Sequence, residues 1–176
     1  MNFNIAQYVD LNYFTDERGY FTETLNISKR PFNQRHYIQS NLSVNKMGVL
    51  RGMHYQKTKP QGKLCSVLAG AAFDFVIDLR KSSPDFKKVQ VFFLEAKKPA
   101  VWVPPGFAHG FLSCRADTIF SYHVFDNSWF KDDECSINPL TVPEIQNMVK
   151  TRIDLIVSPK DLAGYDFTTD DYPQYD

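Results

Sequence analysis

Residues 71–80 have the sequence Ala-Ala-Phe-Asp-Phe-Val-Ile-Asp-Leu-Arg, which is the most regular hydrophobic alternation in the chain. Every second residue from position 71 is apolar, whereas Asp74, Asp78 and Arg80 share the other face with Val76. Because successive side chains of a β-strand point to opposite faces of the sheet, this pattern predicts a strand with one face in the hydrophobic core.

Seven further short runs also place apolar residues at alternate positions and predict strands. They cover residues 20–25, 37–42, 48–56, 63–69, 89–95, 100–103 and 118–125. Turn-forming residues separate the runs at 16–19, 59–62, 82–85 and 104–106. We therefore predict an all-β chain of eight strands, for which a double-sheet jelly roll is the natural architecture.

A single short helix is predicted, near residues 143–152. Thr141 and Glu144 have the spacing of a capping box, and Ile145, Met148 and Val149 follow on one helical face. The helix would lie close to the C-terminal end of an otherwise β-sheet protein.

Length and charge limit the classes of function. The chain has 176 residues, about the size of one domain, so we expect a single domain over residues 1–176. Its 20 Lys and Arg residues balance its 20 Asp and Glu residues. A net charge of zero leaves no excess of basic residues to attract nucleic acid or an anionic membrane, and we expect neither as a partner.

The cysteines and the first residues predict a cytoplasmic protein. Cys65, Cys114 and Cys135 are odd in number and too widely spaced for a Cys-x-x-Cys motif, so we interpret them as reduced thiols. Residues 1–10 have neither the basic start nor the apolar run of a signal peptide.

Two of the histidines lie in positions suited to chemistry. His54 ends the run 48–56, and His109 follows a tight turn. Strict alternation places the side chains of His54 and Arg51 on opposite faces of the strand, unless Gly52 marks a bulge. The alternative is that each is a hydrogen-bonded structural histidine.

The sequence favours acid–base chemistry without a metal or cofactor. A cupin-type metal site needs a His-x-His pair, but Met53 and Tyr55 flank His54, so His54 and His109 alone would hold a metal poorly. No Gly-x-Ser-x-Gly elbow, Walker loop or Gly-x-Gly-x-x-Gly loop occurs.

Seven segments between residues 16 and 161 together resemble a known enzyme family. They are Asp16-Glu-Arg-Gly-Tyr-Phe-Thr-Glu23, Gln39-Ser-Asn41, Val49-Leu-Arg-Gly-Met-His-Tyr-Gln56, Gln61-Gly-Lys-Leu64, Phe73-Asp-Phe-Val-Ile-Asp-Leu-Arg80 with Ser83-Pro84, Val103-Pro-Pro-Gly-Phe-Ala-His-Gly-Phe111 and Ser158-Pro-Lys-Asp161. The set resembles the dTDP-4-dehydrorhamnose 3,5-epimerases and their relatives that act on other nucleotide-linked 4-keto sugars. The resemblance implies a cupin-like jelly roll and a role in cell-surface polysaccharide synthesis.

The resemblance also implies a set of catalytic residues. A keto group at carbon 4 acidifies the hydrogens on carbons 3 and 5, so inversion needs a base, an acid and a group that holds the enolate oxygen. By resemblance, His54 is the base, with Asp161 as the partner that fixes its tautomer. Lys63 resembles the residue that stabilises the oxyanion, and Tyr122 matches the acid.

Binding residues follow from the same resemblance. Arg18, Gln39, Asn41, Arg51 and Lys160 match positions that hold the nucleotide diphosphate or the sugar. Arginine suits phosphate because its planar fork can donate two hydrogen bonds.

A homodimer with exchanged N-terminal strands is implied as well. Phe21 and Glu23 resemble residues that reach the site of a neighbouring subunit, and His109 is expected to line the pocket without transferring a proton.

The chain departs from the family pattern after Tyr122, where the family has a pair of tyrosines, one of which packs on thymine. Here the sequence is His123-Val-Phe-Asp-Asn-Ser-Trp129-Phe130. Either Trp129 or Phe130 then contacts the base, or the nucleotide differs. The substrate is accordingly of the dTDP-4-keto-6-deoxyhexose type or of the GDP-4-keto-heptose type.

Three other functions remain open from the sequence. The first is an epimerase that inverts carbon 3 only. The second is a non-catalytic jelly roll that binds a sugar nucleotide, and the third is a metal-dependent cupin enzyme.

Overall fold

Short strands connected by turns make up most of the molecule. The computed structural model describes residues 2–28, 32–150 and 154–176. The strands are β1 (Gln7–Val9), β2 (Tyr13–Asp16), β3 (Gly19–Thr22), β4 (Tyr37–Asn45), β5 (Val49–Gln56), β6 (Gly62–Ala69), β7 (Ala71–Asp78), β8 (Val89–Glu95), β9 (Ala100–Val103), β10 (Phe107–Ser113), β11 (Thr118–Phe125), β12 (Glu134–Ser136) and β13 (Ile156–Val157). The helices are α1 (Pro143–Val149) and α2 (Pro159–Leu162), with 3-10 turns at Phe32–Gln34, Lys131–Asp133 and Pro139–Thr141.

The strands form two main sheets and a separate hairpin. One sheet has the order β1-β9-β6-β11-β4, and the other has the order β12-β5-β10-β7-β8, with β13 parallel to β5. Strands β2 and β3 pair only with each other among the described residues. The expected all-β, double-sheet fold is confirmed.

A hydrophobic core joins the two main sheets. Val67 and Phe120 on one sheet belong to the same buried cluster as Val76 and Phe111 on the other. The rings of Phe111 and Phe120 stack with their centroids 4.0 Å apart. Burial of such side chains stabilises the fold by about 1.5–3 kcal/mol each, so this core holds the sheets together.

Strand β7 is buried on both faces, whereas its alternation predicted one face in the core. Phe75 and Ile77 pack under the C-terminal part of the chain, together with Phe167 and Tyr172. The opposite face, with Asp74, lies between the sheets and is fully buried. The C-terminal part of the chain covers one face of the strand, and the other main sheet covers the opposite face.

All eight predicted strands have a counterpart in the structure, and several further strands were not predicted. The runs 89–95, 100–103 and 118–125 coincide with β8, β9 and β11, whereas the run 20–25 forms only the shorter β3. Strand β10 was not predicted because all seven of its residues are buried, which removes the alternation. The short strands β1, β2, β12 and β13 were also missed.

The predicted helix is present as α1, but its capping box is absent. Val142 occupies the N-cap position without a side-chain hydrogen bond. Thr141 instead donates its hydroxyl to the carbonyl of Asn138 and accepts from the amide of Phe167. Residues 151–153, where part of the predicted helix falls, lie outside the described residues.

A second helix, α2, was not predicted. It is one turn long, and the Ser158 hydroxyl caps it by accepting from the amide of Asp161 at 3.1 Å. In the part of the chain that the structure describes, no helix is long and apolar enough to cross a bilayer.

Candidate active site

A cleft with two adjoining lobes opens between the sheets. The first lobe has a volume of about 440 Å³ and the second about 350 Å³. Both lobes are lined by Asn41, His54, Lys63 and Tyr122. Because β5 belongs to one sheet and β4, β6 and β11 to the other, the cleft collects side chains from both sheets.

His54 is paired with Asp161. The Nε2 atom of His54 lies 2.6 Å from Oδ1 of Asp161, and the second carboxylate oxygen accepts from the amide of Gly52 at 3.4 Å. The His54 side chain is 31% exposed, whereas that of Asp161 is only 5% exposed. The imidazole therefore reaches into the cleft while the carboxylate holds it from behind.

The environment of Asp161 favours its ionised form. Burial alone would raise the pKa of this carboxyl, but the hydrogen bond and charge of His54 and the contacts with Ser158 and Gly52 lower it below the usual value. An ionised Asp161 keeps the proton of a neutral His54 ring on Nε2. The Nδ1 atom is then left as a proton acceptor.

A bulge at Gly52 brings Arg51 and His54 to the same face of β5. On β10, His109 pairs with His54 and Phe111 pairs with Arg51, so β5 has one more residue than β10 between these pairs. Gly52 has φ +113°, and a Cβ there would lie 2.5 Å from the Cα of Gly110. Strict alternation therefore fails at this position, and Arg51 lines the second lobe beside His54.

Lys63 and Tyr122 lie on the neighbouring strands β6 and β11. Burial lowers the pKa of the Lys63 ammonium, although the acidic groups of Cys65, Asp74 and Glu134 oppose the shift. Burial also raises the pKa of the Tyr122 phenol, so this group keeps its proton at neutral pH. One side chain can thus stabilise a negative oxygen, and the other can donate a proton.

Two polar residues predicted to bind substrate line the cleft on strand β4. Asn41 is the register partner of Tyr122, and the side-chain amide of Gln39 donates to Asn41 Oδ1 at 3.0 Å. Both side chains line the first lobe. Their amides offer donors and acceptors to a ligand there.

His109 lies at the floor of the second lobe and is 7% exposed. Its Nε2 atom lies 2.7 Å from Asp74 Oδ1 and 3.5 Å from Cys65 Sγ. The structure thus places His109 beside the cleft, where it also contacts two buried side chains.

Lys160 stands at the rim of the cleft. Its ammonium is paired with the carboxylate of Glu134, which lines the first lobe. Burial opposes ionisation of Glu134, but the Lys160 contact and the nearby His54 lower its pKa overall. Glu134 was missed by the sequence analysis because it follows an irregular loop.

The loop between β11 and β12 supplies one of the two aromatic candidates for a base contact. Trp129 lines the first lobe and is half exposed. Phe130 does not line it, and its ring lies 3.9 Å from the Nζ atom of Lys59. Gln56, Gln61 and Ser128 also line this lobe, and the sequence analysis did not name them as site residues.

Besides Lys160 at the rim, three other predicted binding residues do not line the cleft of their own chain. Arg18 pairs with Asp16 at the turn of the β2–β3 hairpin, and Phe21 on the same hairpin is 65% exposed. Glu23 accepts a hydrogen bond from Asn26 at 2.9 Å and lines a different depression.

Comparison with known proteins identifies the family to which the chain belongs. The family model described as dTDP-4-dehydrorhamnose 3,5-epimerase matches residues 3–169. The chain belongs to this family. A dTDP-4-dehydrorhamnose 3,5-epimerase of Methanothermobacter thermautotrophicus is 40% identical over 117 residues, which are 65% of this chain and 63% of that protein. The match therefore spans less than two thirds of that relative's length.

Solved structures of epimerases have the same fold over almost the whole chain. The dTDP-6-deoxy-D-glucose-3,5-epimerase of Legionella pneumophila, in complex with dTDP-4-keto-L-rhamnose, has a TM-score of 0.86 and 33% identity, and the match covers 97% of this chain and 94% of that one. A 3'-monoepimerase of Streptomyces bikiniensis, in complex with dTDP-quinovose, has a TM-score of 0.80 and 27% identity, with 93% and 83% covered.

Proposed function

We propose that this protein inverts carbons 3 and 5 of a dTDP-linked 4-keto-6-deoxyhexose. The observation that carries the proposal is the His54–Asp161 pair, which faces the same cleft as Tyr122 and Lys63. The family match and the dTDP-sugar ligands of the similar structures support the choice of nucleotide and sugar class.

Proton removal is assigned to His54. The 4-keto group acidifies the adjacent carbon-bound hydrogens, and Nδ1 of His54 accepts one of them. Asp161 holds the ring through Nε2 at 2.6 Å and stabilises the imidazolium that forms. The electron pair of the broken carbon–hydrogen bond forms the carbon–carbon double bond of the enolate, and the negative charge moves to the keto oxygen.

The enolate oxygen is assigned to Lys63. An ammonium placed beside the keto oxygen before the reaction stabilises the charge that develops there, and partial burial strengthens this interaction.

Reprotonation is assigned to Tyr122. Because His54 and Tyr122 extend from different sheets, a sugar ring held between them has the base on one side and the acid on the other. Delivery of the phenol proton to the opposite face of the carbon inverts its configuration. The proton on His54 is then lost to solvent and the Tyr122 phenolate takes one up from solvent, which restores both groups before the second carbon is inverted. Each proton-transfer step is thus assigned to a side chain of the chain itself, with no metal or cofactor.

Substrate binding is assigned along the cleft from sugar to base. Arg51 and His109 line the second lobe, whereas Gln39, Asn41 and Trp129 line the first. We assign the base contact to Trp129, because a half-exposed indole at the cleft wall offers a flat apolar face for stacking.

We propose a homodimer in which the β2–β3 hairpin reaches the cleft of the partner. The hairpin exposes Phe14 at 59% and Phe21 at 65%, and Arg18 lies at its turn. Large exposed apolar side chains beside a charged turn suit an interface with a polar ligand at its edge.

The cytoplasm is the proposed compartment, and the supply of deoxysugars for cell-surface polysaccharide is the proposed role. The three cysteines are free thiols, which suits a reducing environment.

An epimerase that inverts carbon 3 only is the second candidate. The similarity to a 3'-monoepimerase of Streptomyces bikiniensis favours it, because the same fold is then compatible with a single inversion.

The test is product analysis by NMR after incubation with dTDP-4-keto-6-deoxyglucose, with the GDP-linked 4-keto-6-deoxyhexose and a GDP-linked 4-keto heptose as comparison substrates. Inversion of the dTDP sugar at both carbons is expected. Inversion at carbon 3 alone would select the second candidate. Turnover of only the GDP sugars would overturn the nucleotide assignment, and no turnover of any of the three would favour a binding protein.

A further inference from the structure

The wall of the first lobe holds an acidic side chain to which the proposed function gives no role. Glu134 lies on β12, lines the lobe and has a side chain that is only 15% exposed. Its register partner on β5 is Gln56, and two residues further along β12 Ser136 pairs with His54. Glu134 therefore lies about 7 Å along the strand from the position opposite the proposed base.

Gln56 presents an unused hydrogen-bond donor beside this carboxylate. Its side-chain oxygen accepts from the amide of Phe130 at 2.8 Å, which fixes the orientation of the side-chain amide. The Nε2 group then has no partner among the described residues, although Gln56 is only 2% exposed and lines the lobe. A buried donor without a partner costs free energy that a ligand can recover.

The Glu134 carboxylate is ionised and can accept further hydrogen bonds. Burial alone would raise its pKa, but the ammonium of Lys160, the charge of His54 and a contact with the indole N–H of Trp129 lower it overall. A carboxylate has about four lone-pair sites, and Lys160 and Trp129 use only part of them. The remaining sites are open to a ligand in the lobe.

The charge of Glu134 also reaches side chains that were assigned to the sugar. Burial is the main cause of the lowered pKa of Lys63 and of the raised pKa of Tyr122, and the charge of Glu134 acts to raise both values. The carboxylate thus belongs to the part of the cleft in which the 4-keto sugar is proposed to react.

An acceptor beside a donor fits a hydroxyl group. A hydroxyl both donates and accepts, so it satisfies Glu134 and Gln56 at once. The keto oxygen only accepts, the methyl group at carbon 6 does neither, and a diphosphate would be repelled by the carboxylate. The 2-hydroxyl is bonded to the carbon next to carbon 3 and keeps its configuration, whereas the 3-hydroxyl moves with the inverting centre.

We propose that Glu134, with Gln56 beside it, determines specificity by binding the 2-hydroxyl of the 4-keto sugar. The carboxylate accepts a hydrogen bond from the hydroxyl, and Nε2 of Gln56 donates one to the hydroxyl oxygen. This role depends on the epimerisation proposed above, because only a sugar held at His54 brings its 2-hydroxyl to this wall. A 2-deoxy sugar would leave a buried charge and a buried donor unpaired, so the site discriminates against it.

The test compares dTDP-4-keto-6-deoxyglucose with its 2-deoxy analogue in deuterated water. Deuterium incorporation at carbon 3, followed by NMR, gives kcat/KM for each sugar. The wild type should prefer the 2-hydroxy sugar by about 10–100-fold, the range expected for loss of a hydrogen bond to a charged group. Glu134→Ala should lower kcat/KM for the 2-hydroxy sugar by a similar factor and leave little preference between the two sugars.

Matched variants locate the preference in the carboxylate. Glu134→Gln keeps the size of the side chain but removes its charge, and should reduce the preference. Ser128→Ala removes another polar side chain of the same lobe and should keep the full preference. Lys160→Met removes the cation paired with Glu134 and should also keep it, since Lys160 does not contact the 2-hydroxyl in this arrangement. Loss of the preference in Lys160→Met but not in Glu134→Gln would assign it to the ammonium instead.

Circular dichroism and thermal unfolding check that each variant folds, and Glu134→Gln decides the test if Glu134→Ala does not fold. Equal kcat/KM for the two sugars in the wild type, or an unchanged preference in a folded Glu134 variant, overturns the role of Glu134 and leaves the proposed epimerisation intact. Absence of exchange with both sugars in the wild type overturns the proposed function and the role of Glu134 together.

Discussion

The cleft and the β2–β3 hairpin differ in their contacts with the rest of the chain. In the cleft, His54, Lys63 and Tyr122 extend from strands of two sheets that share a buried core. The hairpin pairs only with itself among the described residues and leaves Phe14 and Phe21 exposed. The proposed proton-transfer set is therefore complete in one chain, whereas the proposed binding set needs a second.

The largest effect is expected when the base in the cleft is removed. His54→Asn should lower kcat by about 10³-fold, within the range of about 10²–10⁴ for a positioned acid or base. The fold should be retained, because the His54 side chain is partly exposed. Steady-state kinetics on the dTDP-4-keto sugar check this, with His36→Asn, an exposed histidine, as the control. An equal fall in kcat in both variants would contradict the assignment of His54 as the base.

The next largest effect is on stability, and it distinguishes a glycine of the cleft from a glycine of the hairpin. Gly52 and Gly19 both have positive φ, but a Cβ at Gly52 would lie 2.5 Å from Gly110 Cα, whereas nothing lies within 4 Å of one at Gly19. Gly52→Ala should lower the free energy of unfolding by about 3 kcal/mol, and Gly19→Ala by only about 1 kcal/mol. Urea denaturation measures both. An equal loss of unfolding free energy in Gly19→Ala and Gly52→Ala would contradict this difference between the hairpin and the cleft.

A smaller effect tests whether the hairpin serves the partner's cleft. Phe21→Ala should raise KM about tenfold, or about 1.4 kcal/mol in binding, with kcat little changed because no proton-transfer group is touched. Mixing subunits of this variant with His54→Asn subunits should restore sites that combine an intact cleft with an intact partner hairpin. Kinetics of the mixture, after exchange of subunits, report this. Failure of complementation, with KM still raised, would place Phe21 in its own chain's site.

The smallest effect concerns the pH dependence of kcat. Lys63 must be charged to stabilise the oxyanion, and burial lowers its pKa, so activity should fall as pH rises through a value below that of an ordinary lysine. The raised pKa of Tyr122 means that this group keeps its proton over the same range. Lys63→Arg should move the alkaline limb to higher pH in the residual activity. An unmoved limb would assign the titration to another group.

Much of the fold could be predicted from alternation, but only where one face of a strand differs from the other. The strands β8, β9 and β11 have the predicted bounds. Strand β10 is buried throughout, and β7 is covered on both sides, so their patterns carry no information about a solvent face.

The sequence analysis named residues that the fold brings to one cleft, but it did not predict their geometry. His54 and Asp161 are 107 residues apart in sequence, and only the one-turn helix α2 brings the carboxylate to the ring. The bulge at Gly52 depends on the close approach of Gly110, which no local pattern contains. Glu134 was also missed, since it reaches the cleft from the short strand β12, which the sequence analysis did not predict.

Solvent deuterium exchange at carbon 3 of the 4-keto sugar tests the central claim most directly, because it separates the base from the acid. In deuterated water, Tyr122→Phe should still exchange the carbon 3 hydrogen while inverting it poorly, since His54 remains with its Asp161 partner. His54→Asn should not exchange that hydrogen. Exchange at the wild-type rate in His54→Asn, or its loss only in Tyr122→Phe, would contradict the account.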